Sequence, residues 1–355
     1  ILTGLHNHFN GQYGHTHNFH KFESFASMRS FALPQLMSQA GYRTAQIAKL
    51  HVAPESVFHF DEYLPGSSRN PRQMANNCRN LFEAETDKPF FLYFCPSDPH
   101  RGGGRDQSFP GKRKPDLFGN LPNKKSHQGV EEVFYDPAKV IVPPFLPDTP
   151  ESRAELAHYY QSCSRIDDGL GRLVELLKET GKWDNTVLIY TADHGMAFPG
   201  AKTTVYEAGL RVPFVVRDPR VKKKGLVHKA MISHSDITPT ILDIAGAYDA
   251  KKNAPKKPLS FEKAGKGENA GKAPKQYHGR SWLPILVQAQ AEGWDQIVAS
   301  HTFHEIQMYY PMRCYRDRNY KLIWNIAYRQ PYPFASDLWA AATWQAKWGK
   351  GQDAT

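Results

Sequence analysis

Three places in this chain set ionisable side chains directly after an apolar run. Asp193-His194-Gly195 follows Val187-Leu188-Ile189-Tyr190, an apolar and β-rich stretch. In α/β folds, ligands sit beyond the carboxyl ends of strands, so side chains placed there face the site. Asp193 offers a hard oxygen donor and His194 a nitrogen donor. Asp and Gly after a strand are equally ordinary turn residues, and this stretch alone leaves both readings open. A strand candidate from Tyr42 to Leu50 ends at Lys49-Leu50-His51. Lys49 and His51 are two apart, so extended backbone would point them to the same side. Phe90 to Cys95 is a continuous apolar run of the buried kind, ending at Pro96-Ser97-Asp98-Pro99-His100-Arg101. Singly, these are a solvated lysine, a satisfied histidine and a turn aspartate. Together, with Lys202 nearby, they suit an anionic ester. A divalent cation would take Asp193, cationic groups would offset the ester's charge, and a histidine could protonate the leaving group.

The elements that must position these residues are legible from periodicity. Leu33, Leu36, Met37 and Ala40 recur at helical spacing, and Gly41 suits the position after a helix. Asp148-Thr149-Pro150 opens the strongest helix, with Thr149 as cap, Pro150 in the first turn and Gly181 as terminator. Leu156, Tyr159, Cys163, Ile166, Leu170, Leu173, Leu176 and Leu177 form its apolar stripe. Asp167 and Asp168 diverge by about 100° on that helix, which favours surface or packing roles over a shared metal. Arg211-Val212-Pro213 leads to a strand from Phe214 to Val216, and His234-Ser235-Asp236 to a helix closed by Gly246. Residues 102–147 read as a long surface excursion. The five histidines His6, His8, His15, His17 and His20 match no standard zinc spacing and read as a loop wrapping a domain edge. Alternating helices and strands as far as Gly246 argue for an α/β fold with a mainly parallel sheet covered by helices.

Composition bounds the remainder. The 355 residues carry a net charge of +10, but eight lysines against two glutamates between Ala250 and Gln276 supply much of that surplus. That segment reads as a solvated, flexible insertion. No nucleic-acid motif accompanies the charge, and a polyanionic glycan fits it as well as DNA does. No run of about 18 apolar residues exists, so no transmembrane helix is expected. Cys78, Cys95, Cys163 and Cys314 lie far apart without metal spacing and read as free thiols, Cys95 and Cys163 being buried. The expected organisation is a catalytic domain over 1–248, the lysine-rich insertion over 249–277 and a smaller domain over 278–355.

The same residues carry a family resemblance over nearly the whole chain. ILTGLHNHFNGQYGH, AKLHV, DPHRGGG, TADHGMAFPGAK, SDITPTILDIAG and EIQMYYPMRCYRDRNYKLIWN resemble segments of sulfatases in the alkaline-phosphatase superfamily, nearest to the heparan N-sulfatase (sulfamidase) branch. The resemblance implies an alkaline-phosphatase-like sandwich: a large, mainly parallel central sheet flanked by helices, with a smaller C-terminal α+β domain. It implies calcium held by Asp193 and His194, the latter standing where the branch often has Asn. Lys49, His51 and His100 would contact the sulfate and its bridging atom. Lys202 would do so where the branch usually has Arg, keeping charge but losing the guanidinium fork. Asp98 would be a supporting or substrate-facing carboxylate, and His304 and Glu305 further substrate contacts, with packing an equal alternative for the last two. The implied partner is a sulfated glycan, the implied compartment secreted, periplasmic or lysosomal, and a homodimer is left open.

The family's nucleophile, a Cys or Ser in a C/S-x-P-S-R signature oxidised to formylglycine, has no counterpart in this sequence. Neither do the paired aspartates that complete the calcium site. Ile1 aligns just past the signature, so the chain reads as a fragment of a longer enzyme, inactive as it stands. Two other readings are a phosphodiester or phosphonate hydrolase of the same superfamily, and a non-catalytic heparin-binding protein using Lys112-Arg113-Lys114, Lys222-Lys223-Lys224 and the lysine-rich insertion.

Overall fold

The structure is a computed structural model that describes residues 1–16, 22–261, 271–288, 291–305 and 308–348. His17 and His20 of the histidine-rich stretch, and residues 262–270 of the lysine-rich one, lie outside the described residues.

Strand β1 (Arg43–Ala48) is central in a parallel sheet of order β2-β1-β3, with β2 at Glu62–Leu64 and β3 at Phe90–Cys95. The β1/β3 register runs from Arg43 opposite Phe90 to Ala48 opposite Cys95, so both strands deliver their carboxyl ends to the same edge. Strands β4 (Leu188–Thr191) and β5 (Phe214–Arg217) form a separate antiparallel pair. The sandwich expected from the sequence is therefore built, among the described residues, from two ladders: β3 pairs only with β1 and β4 only with β5. All six residues of β3 and all four of β4 are half-buried, not sealed on both faces.

One correction concerns β1. It stops at Ala48, two residues before the expected end, because Ala48 takes a left-handed φ of 69° that breaks the extended run. Lys49 and His51 therefore sit on a loop, where strand alternation no longer fixes their direction.

The long helix spans Pro150–Glu179, and the Thr149 side chain accepts the N–H of Ser152 at 3.2 Å, as a cap should. Its lower half buries Leu173, Leu176 and Leu177 with Ala45 and Ile47 of β1 and with Met74, Leu81 and Phe82. At Gly169 the helix meets Pro71 so closely that a Cβ would lie 2.3 Å from the proline ring, so no larger residue fits this crossing. Asp168 pairs with Arg72 at 2.7 Å, a packing role. A second core joins the helix Leu33–Gln39 to Leu2, Leu5, Met28, Phe58, Leu242 and Tyr277.

The segment expected to be a flexible insertion is anchored where it is described. Tyr248–Asp249 (β6) pairs with Ala254–Pro255 (β7), and Tyr277 is buried in the core. Strands β8 (Gln296–His301), β9 (Met312–Asp317) and β10 (Lys321–Asn325) then form an antiparallel sheet. Met312 and Cys314 on one face of it pack against Val205. All four cysteines are free, Cys78 and Cys314 buried, and Cys95 and Cys163 only half-buried because their elements are not covered on every side. Among the described residues no helix is long and apolar enough to cross a membrane.

Candidate active site

The parallel register brings the first two strand ends together. The backbone N–H of Lys49 donates to the Cys95 carbonyl at 2.9 Å, which fixes the loop after β1 against the end of β3. Burial pulls the Lys49 ammonium below its ordinary pKa. The Lys202 and Arg69 charges add to that effect, and Asp193 opposes it.

Asp98 does not face outward. Its side chain is fully buried, with Oδ1 accepting from Arg69 at 2.9 Å and Oδ2 from Arg165 at 2.7 Å. Arg69 also donates to the His100 carbonyl at 2.7 Å. Asp98 thus holds the turn that carries His100, with one guanidinium on each of its buried oxygens. Arg165 in turn reaches Glu132 at 3.2 Å and Asn120 at 2.7 Å, closing a buried network of two cations and two carboxylates.

His100 lies 3.3 Å from the Lys202 ammonium through Nε2, while Nδ1 lies 2.6 Å from the Arg101 carbonyl. A carbonyl only accepts and an ammonium only donates, so the network assigns the proton to Nδ1 and leaves Nε2 as acceptor. Burial, followed by the neighbouring Lys202 charge, lowers the His100 pKa to about 4. Lys202 itself is buried, and its Nζ meets Asp337 Oδ2 at 2.6 Å. Asp337 stands on the short helix Ser336–Trp339 and was invisible to sequence reasoning: a lone aspartate in a helix's first turn looks like an ordinary capping charge.

Asp193 and His194 follow β4 as expected. The Asp193 side chain is 66% exposed, its Oδ1 accepts the His194 backbone N–H at 3.0 Å, and Oδ2 lies 3.7 Å from His194 Nε2. Desolvation opposes its ionisation, but the charges of His194 and Lys49 and the backbone N–H bonds hold its pKa below the usual carboxylate value. The turn depends on Gly195: a Cβ there would sit 1.7 Å from the Ala208 carbonyl oxygen. His234 lies beside this turn, half-buried, with its pKa lowered to about 4 by desolvation and then by the chain's amino terminus.

His51 and His304 meet through a residue that the sequence reading assigned to a loop. The His15 ring lies edge-on to His51 at 4.5 Å and 5.2 Å from His304. The His15 backbone N–H donates to the His304 carbonyl at 2.9 Å. Burial, followed by Lys202, brings the His304 pKa to about 3. Glu305 accepts from the Ser336 hydroxyl at 2.8 Å, next to Asp337. Lys49, His100, Lys202 and His304 are therefore one electrostatic neighbourhood, with Asp193 and His194 on its β4 side.

The donor set tests the calcium expectation. Calcium takes six to eight oxygens. This site offers one exposed carboxylate and an imidazole, and no group of three or more metal-binding side chains stands together among the described residues. The described residues do not by themselves form a calcium cage.

The sulfatase family model matches residues 1–247. The chain belongs to the sulfatase family. Over 97% of its length this sulfatase is 34% identical to human N-sulphoglucosamine sulphohydrolase, covering 66% of that protein. It is 29% identical to an ulvan-active sulfatase of Formosa agariphila over 81% of the chain and 49% of the relative. The chain thus spans between about half and just under two thirds of these curated relatives. A structure solved with its substrate D-glucosamine-2-N,6-O-disulfate superposes on 91% of the chain and covers 77% of that structure, with a TM-score of 0.57 at 19% identity. At that identity the likeness shows the fold, and the fold is alkaline-phosphatase-like.

Proposed function

We propose that the whole protein is a sulfohydrolase that removes the sulfuryl group from N-sulfoglucosamine in heparan-type chains. The carrying observation is the buried Lys202, 3.3 Å from the acceptor Nε2 of His100, with the half-buried Lys49 within electrostatic reach of both. Two cations in a partly desolvated pocket suit an ester or amide bearing a sulfuryl group, whose oxygens gain charge as the bond to the leaving atom breaks. The 34% identity over 97% of the chain to an N-sulphoglucosamine sulphohydrolase supports the N-sulfate over an O-sulfate.

In this reading the attacking formylglycine hydrate and the remaining calcium oxygens come from residues outside this sequence. Bound calcium would supply Lewis-acid polarisation of the sulfuryl oxygens. The residues in hand bind and orient: Lys49 and Lys202 hold sulfuryl oxygens, and His100 presents Nε2 as a hydrogen-bond acceptor. His51, steadied by His15, lines the approach, and His304 and Glu305 flank the sugar. Asp193 and His194 contribute their share of the metal's surroundings. The family resemblance adds a secreted, periplasmic or lysosomal setting.

The test is sulfate release by the full-length protein, with N-sulfoglucosamine and glucosamine-6-O-sulfate offered separately. Release from the N-sulfated sugar is expected. Release from the O-sulfated sugar alone would move the assignment to another branch, and release from neither would end it.

A further inference from the structure

Asp337 is an anomaly in a site built for an anion. It is a carboxylate inside a cationic pocket, 2.6 Å from Lys202 and 4.0 Å from His100 Nε2. It also lies within electrostatic reach of His304. Only one of its oxygens is used. Oδ2 accepts from Lys202, whereas Oδ1 is buried and has no hydrogen-bond partner among the described residues. Leaving a buried acceptor unmade costs about 1–3 kcal/mol, more when it is charged, so such an atom calls for a partner that arrives later.

The chemistry of that partner is constrained. A sulfuryl oxygen is excluded, since two anionic oxygens in contact repel. Water is a poor lasting occupant of a site that must empty to admit a sugar. A neutral hydroxyl or N–H on the sugar that carries the sulfuryl group satisfies Oδ1 without adding charge.

The position is also enforced from behind. Glu155 on the long helix, fully buried, accepts both nitrogens of Arg101 at 2.9 and 3.0 Å. The same carboxylate accepts the N–H of Ala342 at 3.1 Å, the N–H of Thr343 at 3.2 Å and the Thr343 hydroxyl at 2.6 Å. Arg101 adjoins His100, and Ala342 lies five residues past Asp337, so one buried carboxylate ties together the two segments that meet at Lys202. A side chain held this firmly, with one oxygen unmade, is prepared for a ligand.

We infer that Asp337 is a substrate-recognition residue: Oδ2 fixes the Lys202 ammonium, and Oδ1 accepts a hydroxyl or N–H donor from the sugar next to the scissile sulfuryl group. This rests on the sulfohydrolase reading and deepens it.

The experiment compares the full-length protein with Asp337→Asn on two substrates, N-sulfoglucosamine and 4-nitrophenyl sulfate, the second having no donor to offer Oδ1. Asn keeps the shape but turns its single oxygen toward Lys202, leaving an amide N–H where the acceptor was. On the sugar, kcat/KM should fall about 10- to 100-fold further than on the aryl sulfate, the scale of one charge-assisted hydrogen bond. In a Lys202→Met background the Asn change should still lower the rate on the sugar relative to that on the aryl sulfate. Equal losses on both substrates, or none, would overturn the inference, because Asp337 would then act through Lys202 alone or not at all. Asp337→Ser is read in the same way if the Asn variant does not fold. Calorimetric binding of N-sulfoglucosamine decides the matter even where no sulfate is released. Affinity about 10-fold weaker in the variant supports the contact, and unchanged affinity refutes it, so failure here is distinguishable from failure of the sulfohydrolase reading.

Discussion

Replacing Arg165 with methionine is the sharpest test of how the His100 turn is held. Arg165, Asp98 and Glu132 all have side chains with 0% exposure. Removing the guanidinium strands two carboxylates unequally. Asp98 keeps Arg69 at 2.9 Å, whereas Glu132 keeps only neutral donors such as Gln161 at 3.0 Å. Breaking a buried pair from one side costs about 3–5 kcal/mol, chiefly because the remaining charge is left unmatched. With Asp98 half-compensated and Glu132 not, a loss of about 4 kcal/mol is expected. At roughly 2 °C per kcal/mol for a chain of this size, the melting temperature should drop by roughly 8 °C. Urea titration followed by tryptophan fluorescence gives the free energy directly. The triple variant Arg165→Met, Asp98→Asn, Glu132→Gln should recover most of the loss, since neutralising both orphans removes the penalty. A single-variant loss below about 1 kcal/mol, or a triple variant no better than the single, would refute this account of the network.

Three further outcomes follow from the site. Gly195→Ala must push its Cβ away from the Ala208 carbonyl, 1.7 Å distant; about 1–3 kcal/mol of stability should be lost, with sulfate release falling as the Asp193 turn moves. Lys202→Met should reduce sulfate release by the full-length protein about 10²- to 10³-fold, whereas Lys222→Glu, on an exposed run, should leave it unchanged. Acid should destabilise the fold through its half-buried, partly desolvated histidines. His6, His100 and His234 have folded pKa values of about 4 and His304 about 3, against an ordinary 6.5. Below 6.5 the unfolded chain takes up protons that the folded chain refuses, so this contribution to stability is intact above pH 6.5 and is lost as pH falls toward 4. Potentiometry at pH 5 should register about three to four protons taken up by these four histidines on unfolding; no net uptake would contradict their neutral folded state.

What the sequence made legible was local. An apolar run followed by polar residues marks a strand end wherever it occurs, so Lys49, His100 and Asp193 could be placed at carboxyl ends without a three-dimensional picture. The Thr149 cap and the Gly195 turn are likewise written in neighbouring residues. Partnerships across the chain were not legible. Lys202 and Asp337 are 135 positions apart, and Asp98 and Arg165 are 67 apart. Periodicity carries no signal over such distances, so the two guanidinium partners of Asp98 went unseen. His15 was read as loop for the same reason: its ring packs against His51 and His304, and nothing beside it in the chain announces either contact. The end of β1 was misjudged by two residues because one left-handed residue, Ala48, outweighs an otherwise extended pattern.

The clasp of Glu155 on Thr343, together with that of Lys202 on Asp337, sets a timetable for synthesis. The contacts span 188 and 135 positions, so everything the site needs from β1, β3 and β4 leaves the ribosome well before its last wall does. At 5–20 residues per second, a Lys202 already made waits roughly 7–27 s for Asp337. During that interval a lysine destined for a buried ion pair stays hydrated, and the pocket cannot close around an anion. A nascent chain that ended before Asp337 would leave Lys202 without that carboxylate.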